Sequence, residues 1–361
     1  MSNEHIIDRS NPLWEHPDFP SFYWNPHTLE PQETEFTHSS QSLQHQTSGS
    51  EDLLKVEEVY YNSIIEGVEL DKQSLRSSLK KNLTLQRPKD KEEGAVKLME
   101  LAIAHKADRL SHELIQEMNT VVLMHHDNEN IRKKAGMYVG DMLVIKGGRI
   151  DQTVIEDKGV PKERVHEEMS KFITWFNERP PNTPMINAIR GHLHFEKIHP
   201  FADGNGRVGR ALMNMSLMSD LKLSIPLALS KAIQRHSKIY YQSFALQSLD
   251  LTETIQNLSP IIYLAVEETK KILALTVLRK KVYTSDLNER QRKALEKVIT
   301  IEIEDRFQGK LTNQKYRKIV GGIDIKMAQR DLGHLVDQNI LLKLGERKGT
   351  HYVLNLGDDC K

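Results

Sequence analysis

The chain has 361 residues, a length that suits two or three domains rather than one. Fifty Lys and Arg balance fifty Asp and Glu, so no global field draws the protein to nucleic acid or membrane, and any such binding must be local. Hydrophobic residues make up 38% and charged residues 28%, as in a soluble, surface-rich helical protein, and no apolar run is long enough to span a bilayer. Cys360 is the single cysteine, which excludes an intrachain disulfide. With no basic-then-apolar leader after Met1, a reducing, cytoplasmic setting without membrane contact is expected.

In chain order, residues 1–27 hold Trp14, Phe19, Phe22, Tyr23 and Trp24 between Pro12, Pro17 and Pro20. This is too irregular for a helix and suits an extended segment that buries its rings on another domain. Residues 28–50 are rich in Ser, Thr, Gln and His and read as a linker. Amphipathic helices are expected near 51–67, ending at Gly67, then at 71–82, 92–106 and 110–127. Met142–Ile145 and Ile150–Ile155 flank Gly147-Gly148 and read as a β-hairpin. Helical periodicity returns at 161–178, and Pro180-Pro181 breaks it. Further helices are expected at 183–198, 206–221, 228–249 and 258–281. The tail, 285–361, reads as helices 289–304, 313–319 and 324–338 followed by strands 340–345 and 350–356, the order of a winged helix-turn-helix.

The segment His199-Pro200-Phe201-Ala202-Asp203-Gly204-Asn205-Gly206-Arg207-Val208-Gly209-Arg210 concentrates the chemistry. A Gly-rich turn ahead of a helix exposes backbone N–H groups that attract anions. Arg207 adds a bidentate clamp for phosphate oxygens. Asp203 suits Mg²⁺, which commonly uses one or two carboxylates plus substrate phosphates. Histidine has the unperturbed pKa nearest neutrality, so His199 suits a general base. His192 and His194 lie close upstream, but on a helix they point to different faces, and this spacing does not favour a zinc site.

This string resembles the signature of the Fic family, His-x-Phe-x-Asp/Glu-Gly-Asn-Gly-Arg-x-x-Arg, with every fixed position present. The Doc relatives, whose motif differs at the position of Gly206, fit less well. The resemblance implies a mainly α fold: a Fic helical core with a β-hairpin flap, followed here by the winged helix-turn-helix. It implies an N-terminal extension (1–110), a catalytic core (111–282) and the tail domain (285–361).

It further implies AMP transfer from ATP to a protein Ser, Thr or Tyr hydroxyl. His199 would be the base, Asp203 the Mg²⁺ ligand and Phe201 a loop anchor. Gly204, Asn205, Gly206, Arg207 and Arg210 would hold phosphates, and Tyr240 and Tyr241 would line the nucleoside site. Ser248 stands where the family often has asparagine. The stretch Ser63-Ile64-Ile65-Glu66-Gly67 resembles the family's inhibitory helix, in which Glu66 would pair with Arg210 and keep ATP unproductive. Asn62 stands four residues before Glu66 in place of the usual hydroxyl. The hairpin would dock the target segment by strand addition. Self-modification is expected; the oligomeric state stays open, a homodimer with inhibitory contacts across subunits being one arrangement.

Lys326 and Arg330 share a helical face, and Arg347 and Lys348 lie at the wing, which suits DNA phosphates. Winged helices also dock proteins, and both partners stay open for the tail. Two rival readings use the same residues: removal of AMP by water positioned on Glu66, and a DNA-binding regulator with a nucleotide-sensing Fic domain.

Overall fold

The computed structural model describes residues 12–44, 51–79, 90–140, 142–146, 154–303 and 310–357. The Gly147-Gly148 turn and Cys360 lie outside the described residues. In chain order the elements are α1 (Pro26–Ser40), α2 (Glu51–Ile65), α3 (Lys72–Leu79), α4 (Asp90–Ala104), α5 (His112–Leu123) and α6 (Glu129–Arg132). The strands β1 (Met142–Lys146) and β2 (Val154–Lys158) follow, then α7 (Lys162–Glu178), α8 (Pro184–Ile198) and α9 (Asn205–Asp220). Next come α10 (Leu229–Arg235), α11 (Ser237–Phe244), α12 (Thr252–Thr284), α13 (Glu289–Ile303), α14 (Asn313–Ile319) and α15 (Ile325–Asp337), then β3 (Leu341–Leu344) and β4 (His351–Leu354). The protein is mainly α, and two compact units divide between Glu268 and Thr269, inside α12.

The larger unit is built around α8, which is buried nearly all round; every residue but Arg190 and Glu196 is buried. Such a helix belongs at the centre of a core. It packs against α1, α7 and α9. In turn α9 packs against α2, α4, α5 and α10. A satellite cluster of Val56, Val59, Leu70, Leu75, Val96 and Met99 binds α2, the loop after it and α3 to α4.

Residues 28–50 are not a linker as far as they are described. Asn25 caps α1 by accepting from His27 N–H at 3.1 Å, and Pro26 takes the first helical position. The buried stripe is Leu29, Glu33, Phe36 and Ser40, at helical spacing, but two of the four are polar. That mixture hides the periodicity. Glu33 accepts from Met185 N–H and Ile186 N–H, both at 2.9 Å, and so closes the open N-terminus of α8. The helix expected at 228–249 is two helices broken at His236 (φ −119, ψ 29), which re-aims α11. The second strand of the hairpin runs to Lys158, three residues beyond the expected end. Its pairing with β1 is antiparallel, Met142 opposite Lys158 and Lys146 opposite Val154.

In the smaller unit Thr312 caps α14 and Asp324 caps α15, each accepting the N–H three residues on. Strands β3 and β4 pair antiparallel, Leu341 opposite Leu354. The buried Asp331 accepts two bonds from Arg290, at 2.8 and 2.9 Å, and one from Tyr316 Oη at 2.9 Å.

Candidate active site

Helix α8 stops at Ile198 because His199 turns left-handed (φ 50, ψ 63), its N–H bonded to Phe195 O at 3.0 Å. Positive φ at a non-glycine residue is uncommon, and such strain gathers at functional positions. The ring, 9% exposed, places Nδ1 3.5 Å from Oε2 of Glu196. A second left-handed turn falls on Gly204 (φ 83), where a Cβ would press on Asn119 Nδ2 and Val122 Cγ1 at 3.1 Å. Between the turns, Asn205 Oδ1 accepts from Phe201 N–H at 3.0 Å and its Nδ2 donates to Phe201 O at 2.8 Å. The Asn205 amide thus ties the loop backbone together at Phe201. Phe201 is buried, as an anchor should be, against Tyr138.

Asp203 is held from two sides. His126 Nε2 lies 3.1 Å from Oδ2, and Arg207 Nη2 lies 3.2 Å from Oδ1. Asn119 Nδ2 donates to Asp203 O at 2.9 Å and fixes the loop to α5. Among the described residues no group of three or more His, Cys, Asp or Glu side chains is placed to hold a metal. One carboxylate, partly exposed, still fits Mg²⁺ that takes its other ligands from phosphates and water.

Arg210 is fully buried. Its Nη2 lies 2.8 Å from Glu66 Oε1 and 3.0 Å from Asn62 O, and its Nε donates to Asn62 Oδ1 at 2.7 Å. Burial works against the guanidinium charge, but Glu66, Tyr240 and Tyr241 together outweigh it and hold the group protonated. The Asn62 side chain therefore takes the place of the expected hydroxyl by grasping Arg210, while its Nδ2 reaches Arg207 O at 3.3 Å. A Cβ at Gly206 would overlap Glu66 Oε1. The carboxylate thus sits over the first turn of α9, where the helix terminus favours an anion.

Tyr240 is buried, with its hydroxyl 2.5 Å from His192 Nε2, and Tyr241 Oη donates to Ile65 O at 3.4 Å. Both hydroxyls face groups of α8 or the end of α2. His194 is buried among Phe19, Phe22 and Phe172. The backbone on each side of the hairpin bonds to the backbone on each side of His199: Val139 N–H to Pro200 O at 2.8 Å and Val160 N–H to Ile198 O at 3.1 Å. The base of the hairpin is thereby fixed beside the imidazole.

Residues 109–217, which hold this loop and both its helices, match the sequence model of the Fic/DOC family. This stretch is a Fic domain. Residues 13–85 match a second family, described as a domain of unknown function, DUF4172. The Fic domain is similar to protein adenylyltransferase fic-1 of Caenorhabditis elegans, 27% identical over 173 residues, 44% of this chain and 31% of the relative. It is also similar to protein adenylyltransferase Fic of Nematostella vectensis, 30% identical over 152 residues, 41% of this chain and 31% of the relative. The matches thus span less than a third of the length of these curated relatives. A Fic family protein from Desulfovibrio desulfuricans G20 shares the fold with a TM-score of 0.56 and 17% identity, over 93% of this chain and 98% of that one.

Asn119, His126 and Glu196 are residues near the candidate site that sequence reasoning missed, and Asn62 was noted there only as a departure from the inhibitory motif. Asn119 had a signal: a polar side chain on the inward stripe of α5, where Ile115, Met118 and Leu123 are buried. His126 had none, since only folding brings it to Asp203.

Proposed function

We propose that the protein transfers AMP from ATP to Ser, Thr or Tyr hydroxyls of proteins, itself included, and that Glu66 holds this activity low. The carrying observation is the Glu66 carboxylate on Arg210, over Gly206, inside a complete set of phosphate-handling residues. The names of the similar proteins, adenylyltransferases, point the same way.

In this reading the target segment lies along the hairpin and its hydroxyl faces His199. The hydroxyl oxygen forms a bond to the α-phosphorus, its proton passes to Nε2 of His199, and the α–β bridging P–O bond breaks to release diphosphate. General-base help of this kind contributes roughly 10²–10⁴-fold. The N–H groups at the start of α9 and the Arg207 guanidinium stabilise charge on the phosphate oxygens. Mg²⁺ on Asp203, when bound, would screen the charge of the phosphates. Arg210 would orient the terminal phosphate once Glu66 leaves it. The chain's single cysteine favours a reducing compartment.

Incubation with α-labelled ATP and Mg²⁺ tests this. Glu66→Gly should label strongly, the parent weakly, and Glu66→Gly with His199→Ala at least about 100-fold less than Glu66→Gly. No label on Glu66→Gly would overturn AMP transfer. Loss of AMP from a pre-modified target by the parent, but not by Glu66→Gly, would establish removal instead.

A further inference from the structure

Resting on the reading of His199 as the base, we infer that Glu196 is its positioning residue. The carboxylate takes the Nδ1–H of the imidazole and leaves Nε2 as the lone pair that receives the hydroxyl proton.

The imidazole and a largely enclosed carboxylate face each other here. His199 Nδ1 is buried with no hydrogen bond among the described residues, and Glu196 Oε2, 3.5 Å away, is the acceptor in range. Glu196 Oε1 is also buried and unbonded. A distance of 3.5 Å is long for a hydrogen bond. Catalytic contacts are often long in the free enzyme and tighten when substrate docks. The approach follows from local geometry: the left-handed turn at 199 folds the ring back over the residue three positions earlier on α8.

The rest of the fold makes room for this carboxylate. Gly209 on α9 lies against it, and a Cβ there would meet His192 Nδ1 at 2.7 Å and Glu196 Oε1 at 2.9 Å. Only glycine admits both side chains between α8 and α9. Burial pushes the Glu196 carboxyl up, but the contact with His199 and the facing His192 and Arg210 outweigh it and hold it below its ordinary range. His192 is a poor rival for this role. Its Nε2 is engaged by Tyr240, and burial pushes it down to about 4, so it stays neutral. An anionic partner fixes the tautomer of a histidine base and stabilises the imidazolium that forms.

The test uses the full chain, selectively ¹⁵N-labelled at histidine, in the Glu66→Gly background. His199 resonances are assigned by their loss in His199→Ala. With Glu196 present, His199 should hold the Nδ1–H tautomer. With Glu196→Ala the two tautomers should mix, and kcat for AMP transfer should fall about 100-fold with KM for ATP within about twofold. Glu196→Gln keeps an acceptor and should retain the single tautomer, with kcat within about tenfold of the parent. Gly209→Ala should mix the tautomers without removing the carboxylate, which keeps the test alive if Glu196→Ala does not fold. An unchanged tautomer in both Glu196→Ala and Gly209→Ala, or kcat within about threefold in Glu196→Ala, overturns the inference. Labelling that survives His199→Ala overturns AMP transfer by His199, while the tautomer spectra still decide the contact.

Discussion

At Asn205 one side chain accepts from and donates to the backbone of Phe201, and it is nearly inaccessible to water. Removing it strands two buried backbone groups, each costly to leave unpaired. Asn205→Ala should therefore destabilise the larger unit by about 1–3 kcal/mol, and thermal unfolding measures it. Asn205→Asp sets a carboxylate oxygen against Phe201 O at a buried position, so it should destabilise as well. A stability within error of the parent for Asn205→Ala would show that the loop is held elsewhere. Glu66 and Arg210 are matched at the same scale: one carboxylate, 33% exposed in its side chain, reaches a guanidinium that is 1% exposed. An arginine so enclosed depends on its partners, and Asn62 accepts from both its Nε and its Nη2. Withdrawal of Glu66 alone therefore leaves Arg210 anchored through Asn62, as the proposed release of Glu66 requires.

Helix α2 is an element held at several points. The Glu58 carboxylate accepts from Ser230 N–H at 2.8 Å and from Ser230 Oγ at 2.6 Å, closing the start of α10. Glu57 is paired with Lys72 at 2.9 Å. Burial pushes Glu58 up to about 7 from an ordinary value of 4.5, against the bonds from Ser230 and Asn214 and the charge of Arg210. The folded state thus binds a proton that the unfolded state has lost between these values. Stability linked to Glu58 is fully present below about 4.5 and is lost as pH rises through about 7. Glu33 is also pushed up to about 7 by burial and adds a slope of the same sign. The comparison with Glu58→Gln isolates one carboxyl: the parent should lose stability relative to the variant between pH 5 and pH 8. A parallel pair of unfolding profiles across that range would refute the assignment.

Over the whole molecule, the division at Glu268 and Thr269 separates a unit that holds the entire candidate site from one that holds none of it. Multi-domain chains depart from two-state unfolding. Calorimetry should therefore resolve two transitions, and Glu58→Gln should move only that of the larger unit. A single transition with equal calorimetric and van't Hoff enthalpies would show that the units unfold together. The smaller unit has its own polar core in Asp331, Arg290 and Tyr316. On α15 it exposes Ile325 and Met327 beside Lys326 and Arg330, a mixed apolar and basic stretch.

The sequence by itself determined the chemistry-bearing string at 199–210 and the long periodic helices. These are local properties: a contiguous motif needs no folding to be read, and a 3.6-residue apolar stripe declares its helix. The pairing of Glu66 with Arg210 came from the resemblance of residues 63–67 to the family's inhibitory helix, not from the spacing of the chain. Where burial breaks the binary pattern, reading failed. Helix α1 buries Glu33 and Ser40 in its stripe, and those residues make sense only against the open end of α8 and the carbonyl of Phe36. Tertiary structure alone decided that Asn205 serves the loop, that Asn62 grasps Arg210, that His126 meets Asp203 and that Gly209 leaves room for Glu196 beside His199. The reason is common to all four. Each depends on the distance between side chains on different elements, or on a left-handed turn whose direction composition does not encode.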